Sequence, residues 1–323
     1  MFKRKNLIYL AVVLSSACLF IMIYGIYVLD VTNTDWLMAG GDLSQHYLGW
    51  RFYRNASWQP LIGLTDHIAY PFQESVIFTD SIPLFAVIFK LFRSVLPEQF
   101  QYFGIWGLFC FILQGTLAAK ILEKYLKHPL QIFFGSQLFV IAPVIIQRMY
   151  WHTSLAAHWI ILLAICMIIY QHEWFHKWYQ SAAAWVLIGF LCASVHIYYL
   201  PMCACLLVSF VLSEFFSKKP VLQCLVSIPA FSISSLATIW ILGGFASGMS
   251  DGAPGLGFYS FNLNGFYNPQ DWSAIFPNLE KYADGQYEGF AYLGIGVIVL
   301  FVLTVLLLIL AVFINIIQYK TKK

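Results

Sequence analysis

The chain is predicted to fold as an all-α, polytopic transmembrane helical bundle of about eight spans, with two interfacial helices in a long first outer loop. Three observations predict it. The 323 residues are 60% hydrophobic and only 10% charged, whereas a soluble domain is about 45–50% apolar and about 25% charged. Eight apolar runs come close to the roughly 20 residues a helix needs to cross a bilayer. The basic residues also fall where short cytoplasmic loops would place them.

The runs cover 7–29, 102–119, 131–147, 154–170, 181–199, 201–216, 221–245 and 291–318. Pro201 separates two of them, because proline lacks a backbone donor and clashes with the preceding turn, so a tight hairpin is expected at Tyr198-Tyr199-Leu200-Pro201. With eight spans, Lys3, Arg4, Lys5, Lys120, Lys124, Lys127, Lys177, Lys218, Lys219, Lys320, Lys322 and Lys323 share one side, 12 of the 18 basic residues. Only Glu123, Glu173 and Glu214 of the 15 acids join them. Both termini are therefore expected in the cytoplasm. The first run exceeds the apolar core of a removable signal peptide and reads as an anchor. A single domain, 1–323, is expected, with no nucleic-acid partner. All seven cysteines lie in apolar runs, which argues against a disulfide framework or a zinc–thiolate site.

Two outer segments concentrate the polar chemistry. In the first, 30–101, Gly40-Gly41 breaks the chain and Asp42 suits the N-cap of a helix reaching about Tyr53. On that helix Asp42, Gln45, His46 and Gly49 share a face, opposite Leu43, Tyr47 and Trp50. An amphipathic helix of this kind lies in the membrane interface. Thr79-Asp80-Ser81 and Pro83 then open a second helix over 82–96, too short and, with Lys90 and Arg93, too charged to span comfortably. The second segment, 246–290, alternates turn residues with aromatics and amides. Tyr259, Asn262, Gln286, Tyr287 and Glu288 are candidates there for contact with a sugar, although aromatic residues favour a membrane interface in any case.

Gly41-Asp42-Leu43-Ser44-Gln45-His46-Tyr47 resembles the Gly-Asp-x-x-x-Gln/His-Tyr stretch of bacterial GT-C superfamily members, including YfhO-like proteins. Gln286-Tyr287-Glu288-Gly289-Phe290-Ala291-Tyr292-Leu293-Gly294 is similar to the segment that re-enters the bundle in those proteins. The likeness covers about residues 5–315, although many such enzymes carry more spans and a soluble C-terminal domain.

The resemblance implies an inverting membrane glycosyltransferase. It would move a sugar from a polyprenyl-phosphate donor to a glycan, lipid or protein acceptor on the outer face of a bacterial inner membrane. Asp42 is then the candidate base, Asp80 the alternative, and His46 an orienting partner. Gln45 and His152 are candidate substrate contacts, and Arg51, Arg54, Lys90 and Arg93 a candidate phosphate clamp. No cofactor is required, and no metal is assigned. Asp42 and His46 with one of His152, His158 and His196 would nevertheless leave room for a divalent ion. Rival readings are a non-catalytic scaffold, or a flippase, ligase or transporter of lipid-linked carbohydrate. A transporter should carry ionisable groups near the midplane of its spans, and these runs have almost none.

Overall fold

The computed structural model describes residues 2–217, 222–246 and 258–321. Thirteen helices occur among them: α1 Phe2–Tyr24, α2 Gly41–Asn55, α3 Pro83–Leu91, α4 Phe103–Leu122, α5 Pro129–Val140, α6 Pro143–Arg148, α7 Trp159–Ile169, α8 Gln171–Trp174, α9 Trp178–Val195, α10 Tyr199–Phe216, α11 Leu222–Leu225, α12 Ser227–Ile241 and α13 Ile295–Thr321. The only sheet among the described residues is a two-residue antiparallel pairing of Leu64–Thr65 with Glu74–Ser75. The fold is all-α, as the composition requires.

Among the described residues, six stretches are long and apolar enough to cross a membrane: Asn6–Tyr24, Phe103–Leu122, Pro129–Arg148, Trp178–Val195, Tyr199–Phe216 and Ile295–Gln318. Thr153–Ile169 and Ser227–Ile241 are shorter apolar helices. They replace the expected runs at 154–170 and 221–245. Lys218, Lys219, Lys322 and Lys323, which enter the charge argument, lie outside the described residues.

The chain divides into two compact units, Met1–Val140 with Gln147–Asp251, and Ile141–Ile146 with Gly252–Lys323. In the first, α4 packs on α1, α5 and α7, and α9 packs along α12. Glycines permit the close approaches. A Cβ on Gly115 would collide with Ser16 of α1, and one on Gly189 would lie 2.6 Å from the Phe231 carbonyl oxygen of α12. Aromatic residues fill the core around α4, where Tyr102 stacks on Phe89 and Trp106 meets Phe85 edge-on.

At the far end of α7, Glu123, Glu173 and Glu214 each lie close to a basic side chain. Lys120 contacts Glu123, Lys124 contacts Glu173, and His172 lies 2.7 Å from Glu214. The Lys120 ammonium also sits 4.6 Å from the centre of the Tyr170 ring.

In the second unit, 258–294 is an irregular segment punctuated by two 3-10 turns, Leu263–Phe266 and Asp284–Gly289. It is followed by α13, whose described side chains are exposed from Val299 onward.

Four local expectations are corrected. Asp42 does not cap α2. The N-cap is Gly40, whose φ of 101° suits glycine, and Asp42 is the second helical residue. Asp80 does not cap α3 either, since Ile82 occupies that position and Pro83 begins the helix. That helix ends at Leu91 rather than near 96. Finally, the break between α9 and α10 falls at His196-Ile197-Tyr198, and Pro201 sits inside the first turn of α10, where its missing donor costs nothing.

Candidate functional site

Four segments of the first unit converge on one polar cavity of about 340 Å³. From α2 come Asp42, Gln45 and His46. The segment before α3 supplies Ile77, Phe78 and Asp80. His152 comes from the turn before α7, and His196, Ile197 and Tyr198 from the turn between α9 and α10.

Asp80 is the hub. One carboxylate oxygen, Oδ1, lies 3.0 Å from His196 Nε2 and accepts from Ser154 Oγ. The other, Oδ2, lies 3.3 Å from His46 Nε2. The His196 tautomer follows from its surroundings. The Tyr198 backbone N–H donates to Nδ1 at 3.1 Å, so the ring proton sits on Nε2 and points at Asp80. On the His46 ring, Nδ1 lies 3.3 Å from Thr153 Oγ1. Burial alone would push the Asp80 carboxyl up, but the hydrogen bonds from His196 and His46 outweigh it and hold the carboxyl well below the usual carboxylate range.

The backbone presents Asp80 by a tight bend. Asp80 and Ile82 have φ of 56° and 53°. Aspartate tolerates the left-handed region, whereas a β-branched residue there is strained by about 1–3 kcal/mol. Full burial of Ile82 and a hydrogen bond from Tyr102 Oη to the Ser81 carbonyl hold the bend. The 152–156 turn is braced from both sides: Trp106 Nε1 donates to the Thr153 carbonyl at 3.0 Å and Tyr199 Oη to the Leu155 carbonyl at 2.6 Å.

Asp42 differs from Asp80. Its side chain is 56% exposed and its Oδ2 stands 3.8 Å from His152 Nδ1. It thus borders the cavity with a solvent-accessible carboxylate, one residue into the helix start, where the helix dipole favours its charge. His46, Asp80 and His152 each offer a ligand atom, all within 4.8 Å of one another. A cation would therefore find Asp80 in the group that the sequence reading built around Asp42.

A second cavity of about 670 Å³ adjoins the first, sharing Gln45 and Phe78. Leu48, Phe52 and Ile68 line it together with Glu74 and Thr79. Its floor exists because Gly49 lets α2 approach the 76–81 segment; a Cβ there would lie 2.6 Å from Thr79 Cβ.

The remaining candidates are placed elsewhere. The buried Arg54 guanidinium donates to the carbonyls of Glu98, Leu96 and Arg93 at 3.1, 3.0 and 3.4 Å. Arg93 donates back to the Arg54 and Ala56 carbonyls at 3.3 and 2.6 Å. Arg51 donates to Tyr47 Oη at 3.1 Å. The Lys90 ammonium, fully buried, sits between the rings of Tyr53 and Trp58, 3.9 and 4.6 Å from their centres. None of the four is among the described residues lining either cavity.

Tyr259, Asn262, Gln286, Tyr287 and Glu288 belong to the second unit. There the Asn262 side chain accepts from the Asn264 N–H at 3.1 Å, Gln286 Oε1 accepts from the Tyr282 N–H at 2.9 Å, and Tyr259 meets Tyr287 edge-on.

Ser154 is absent from the sequence-derived site, and His196 entered it only as one alternative partner for a divalent ion. Their only signal was position: each stands beside a predicted outer turn, and turns carry function more often than spans do.

A helical membrane protein with an acid–histidine pocket opening beside an apolar cavity is the class that fold and site define. A family model described as a domain of unknown function, DUF6311, matches residues 13–320, and the chain belongs to that family. No curated protein and no solved structure matches the chain significantly.

Proposed function

We propose that the protein is an inverting membrane glycosyltransferase acting on a polyprenyl-phosphate-linked sugar at the outer face of a bacterial inner membrane. The observation that carries this reading is the pairing of cavities. A polar pocket with two carboxylates and three imidazoles shares a wall with a larger apolar one. An amphiphilic donor needs both, one for its sugar and phosphate and one for the first units of its lipid.

In this reading α2 and α3 lie in the interface. The two shorter apolar helices join the six long ones to make eight passes, with both termini cytoplasmic.

The step requires an acceptor hydroxyl to attack the anomeric carbon. As the new C–O bond forms, the bond to the donor phosphate breaks and polyprenyl phosphate leaves with its electron pair. The hydroxyl proton goes to Asp42, the accessible carboxylate. Asp80 is unsuited to that role, because the hydrogen bonds around its carboxylate already hold it ionised and weaken it as a base. It instead orients His46 and His196.

The test is transfer by protein reconstituted in liposomes, using a panel of radiolabelled polyprenyl-phosphate hexoses. Asp42→Asn should lower the rate by about 10²-fold or more. An Asn variant that matches wild type, or no transfer from any donor in the panel, would remove the reading.

A further inference from the structure

We infer that His46, Asp80 and His152 form a binding site for one divalent first-row transition metal, with Zn²⁺ or Mn²⁺ as the chemical class. The inference draws on the proposed transfer only for the ion's use; the binding site itself rests on the geometry of these side chains.

Three observations support it. The first is spacing. His46 Nε2 and Asp80 Oδ2 stand 3.3 Å apart, longer than the roughly 2.7–2.9 Å typical of a charge-assisted hydrogen bond. Two ligand atoms bound at roughly 2.0–2.2 Å to a tetrahedral ion stand about 3.3–3.6 Å apart. The full set spans 4.8 Å, so His152 must approach by about 1 Å, a distance that side-chain rotation covers.

The second is the surrounding shell. A ligating histidine usually engages its other ring nitrogen, and a ligating carboxylate is itself hydrogen-bonded. Thr153 Oγ1 holds Nδ1 of His46. His196 and Ser154 both engage Oδ1 of Asp80 and leave Oδ2 facing the ion. Since His196 Nδ1 accepts from the Tyr198 backbone, that residue is a supporting donor rather than a ligand. This division of roles leaves three protein ligands and at least one open coordination position, the pattern of a catalytic rather than a structural ion.

The third is charge. Both cavities lack Lys and Arg among their described lining residues. A donor phosphate bound there would otherwise meet Asp42 and Asp80 without a fixed countercharge, and a bound dication supplies one. Two imidazoles with one carboxylate favour zinc, manganese or iron over magnesium, which prefers oxygen ligands and keeps its waters.

The experiment uses the purified full chain in detergent, stripped with EDTA and then titrated separately with Zn²⁺, Mn²⁺ and Mg²⁺. Metal content is measured after dialysis, and thermal unfolding with and without ion. About one equivalent of Zn²⁺ or Mn²⁺ per chain is expected, together with a raised unfolding temperature. His46→Gln, Asp80→Asn and His152→Gln should each lose the ion. Thr153→Val and Ser154→Ala, milder changes that leave the ligands in place, should weaken binding by about 10–100-fold.

His172→Ala, at the far end of α7, controls for adventitious uptake and should keep wild-type content. Wild-type protein that takes up no Zn²⁺ or Mn²⁺, ligand variants that retain it, or equal loss in His172→Ala would overturn the site. Transfer activity that persists after complete stripping would sink the ion's proposed use while the binding data still stand, so the two readings fail separately.

Discussion

The two ends of α2 carry similar numbers of ionisable groups and use them in opposite ways. At its start, Asp42 and His46 border a cavity, and the ring nitrogens of His46 reach Asp80 and Thr153, far away in sequence. At its end, Arg54 is buried with its guanidinium directed to three backbone carbonyls of the 93–98 segment. A guanidinium has five fixed donors and no acceptor, so the carbonyls left over where α3 ends are natural partners for it. Two residues that read alike as functional charges on one helix therefore divide into a chemical and an architectural role. What separates them is whether the surrounding backbone has already satisfied its own polar groups.

The sharpest way to break that comparison is to exchange the consequences. Asp42→Asn should cost about 10²-fold or more in transfer rate while leaving the unfolding temperature unchanged, because its carboxylate is exposed. Arg54→Gln should do the reverse. Hydrogen bonds to charged groups are worth about 1.5–3 kcal/mol, so the variant should lose about 2–4 kcal/mol of stability and keep its activity per folded molecule. Loss of activity at full stability in Arg54→Gln would return it to the phosphate clamp suggested by the sequence.

Gly49 lies between the two ends and sharpens the boundary. Gly49→Ala forces α2 away from Thr79, and overpacking of this kind costs about 1–3 kcal/mol. Its effect on rate should exceed that of Arg54→Gln, since the helix would carry Gln45 and His46 with it. Equal effects of the two variants on rate would show that α2 moves as a rigid rod.

The smallest expected effect is at Lys90, which packs against Tyr53 on the same helix. Burial, reinforced by Arg93 and opposed by Asp66, pushes its ammonium from 10.5 down to about 8. Between those values the unfolded chain holds the proton that the folded chain has released, so folding stability rises with pH from about 8 to about 10. Lys90→Met should abolish that rise in detergent thermal scans and raise stability near neutral pH, where the folded wild type must keep its ammonium buried. A variant that kept the wild-type pH slope would show that another group sets it.

Much of this was legible in the chain itself. Composition and run length set an all-α membrane protein, because lipid leaves backbone groups no partner but the helix they sit in. The 3.6-residue period placed Gln45, His46 and Gly49 on one face of α2, and the cavities open on that face. Those arguments are local, and local periodicity is written in the sequence. The inference that Asp42 and Asp80 cap helices failed because a capping residue type and a capping geometry are different things. Gly40 and Ile82 hold the two positions, the latter in a conformation that no propensity would assign to isoleucine. Asp80 as the hub, His196 as a supporting donor rather than an ion ligand, and the diversion of Arg54 and Lys90 into carbonyls and rings were decided by tertiary structure alone. Each depends on contacts between residues at least 30 positions apart, where the identity of a side chain does not reveal which neighbour the folded backbone will bring against it.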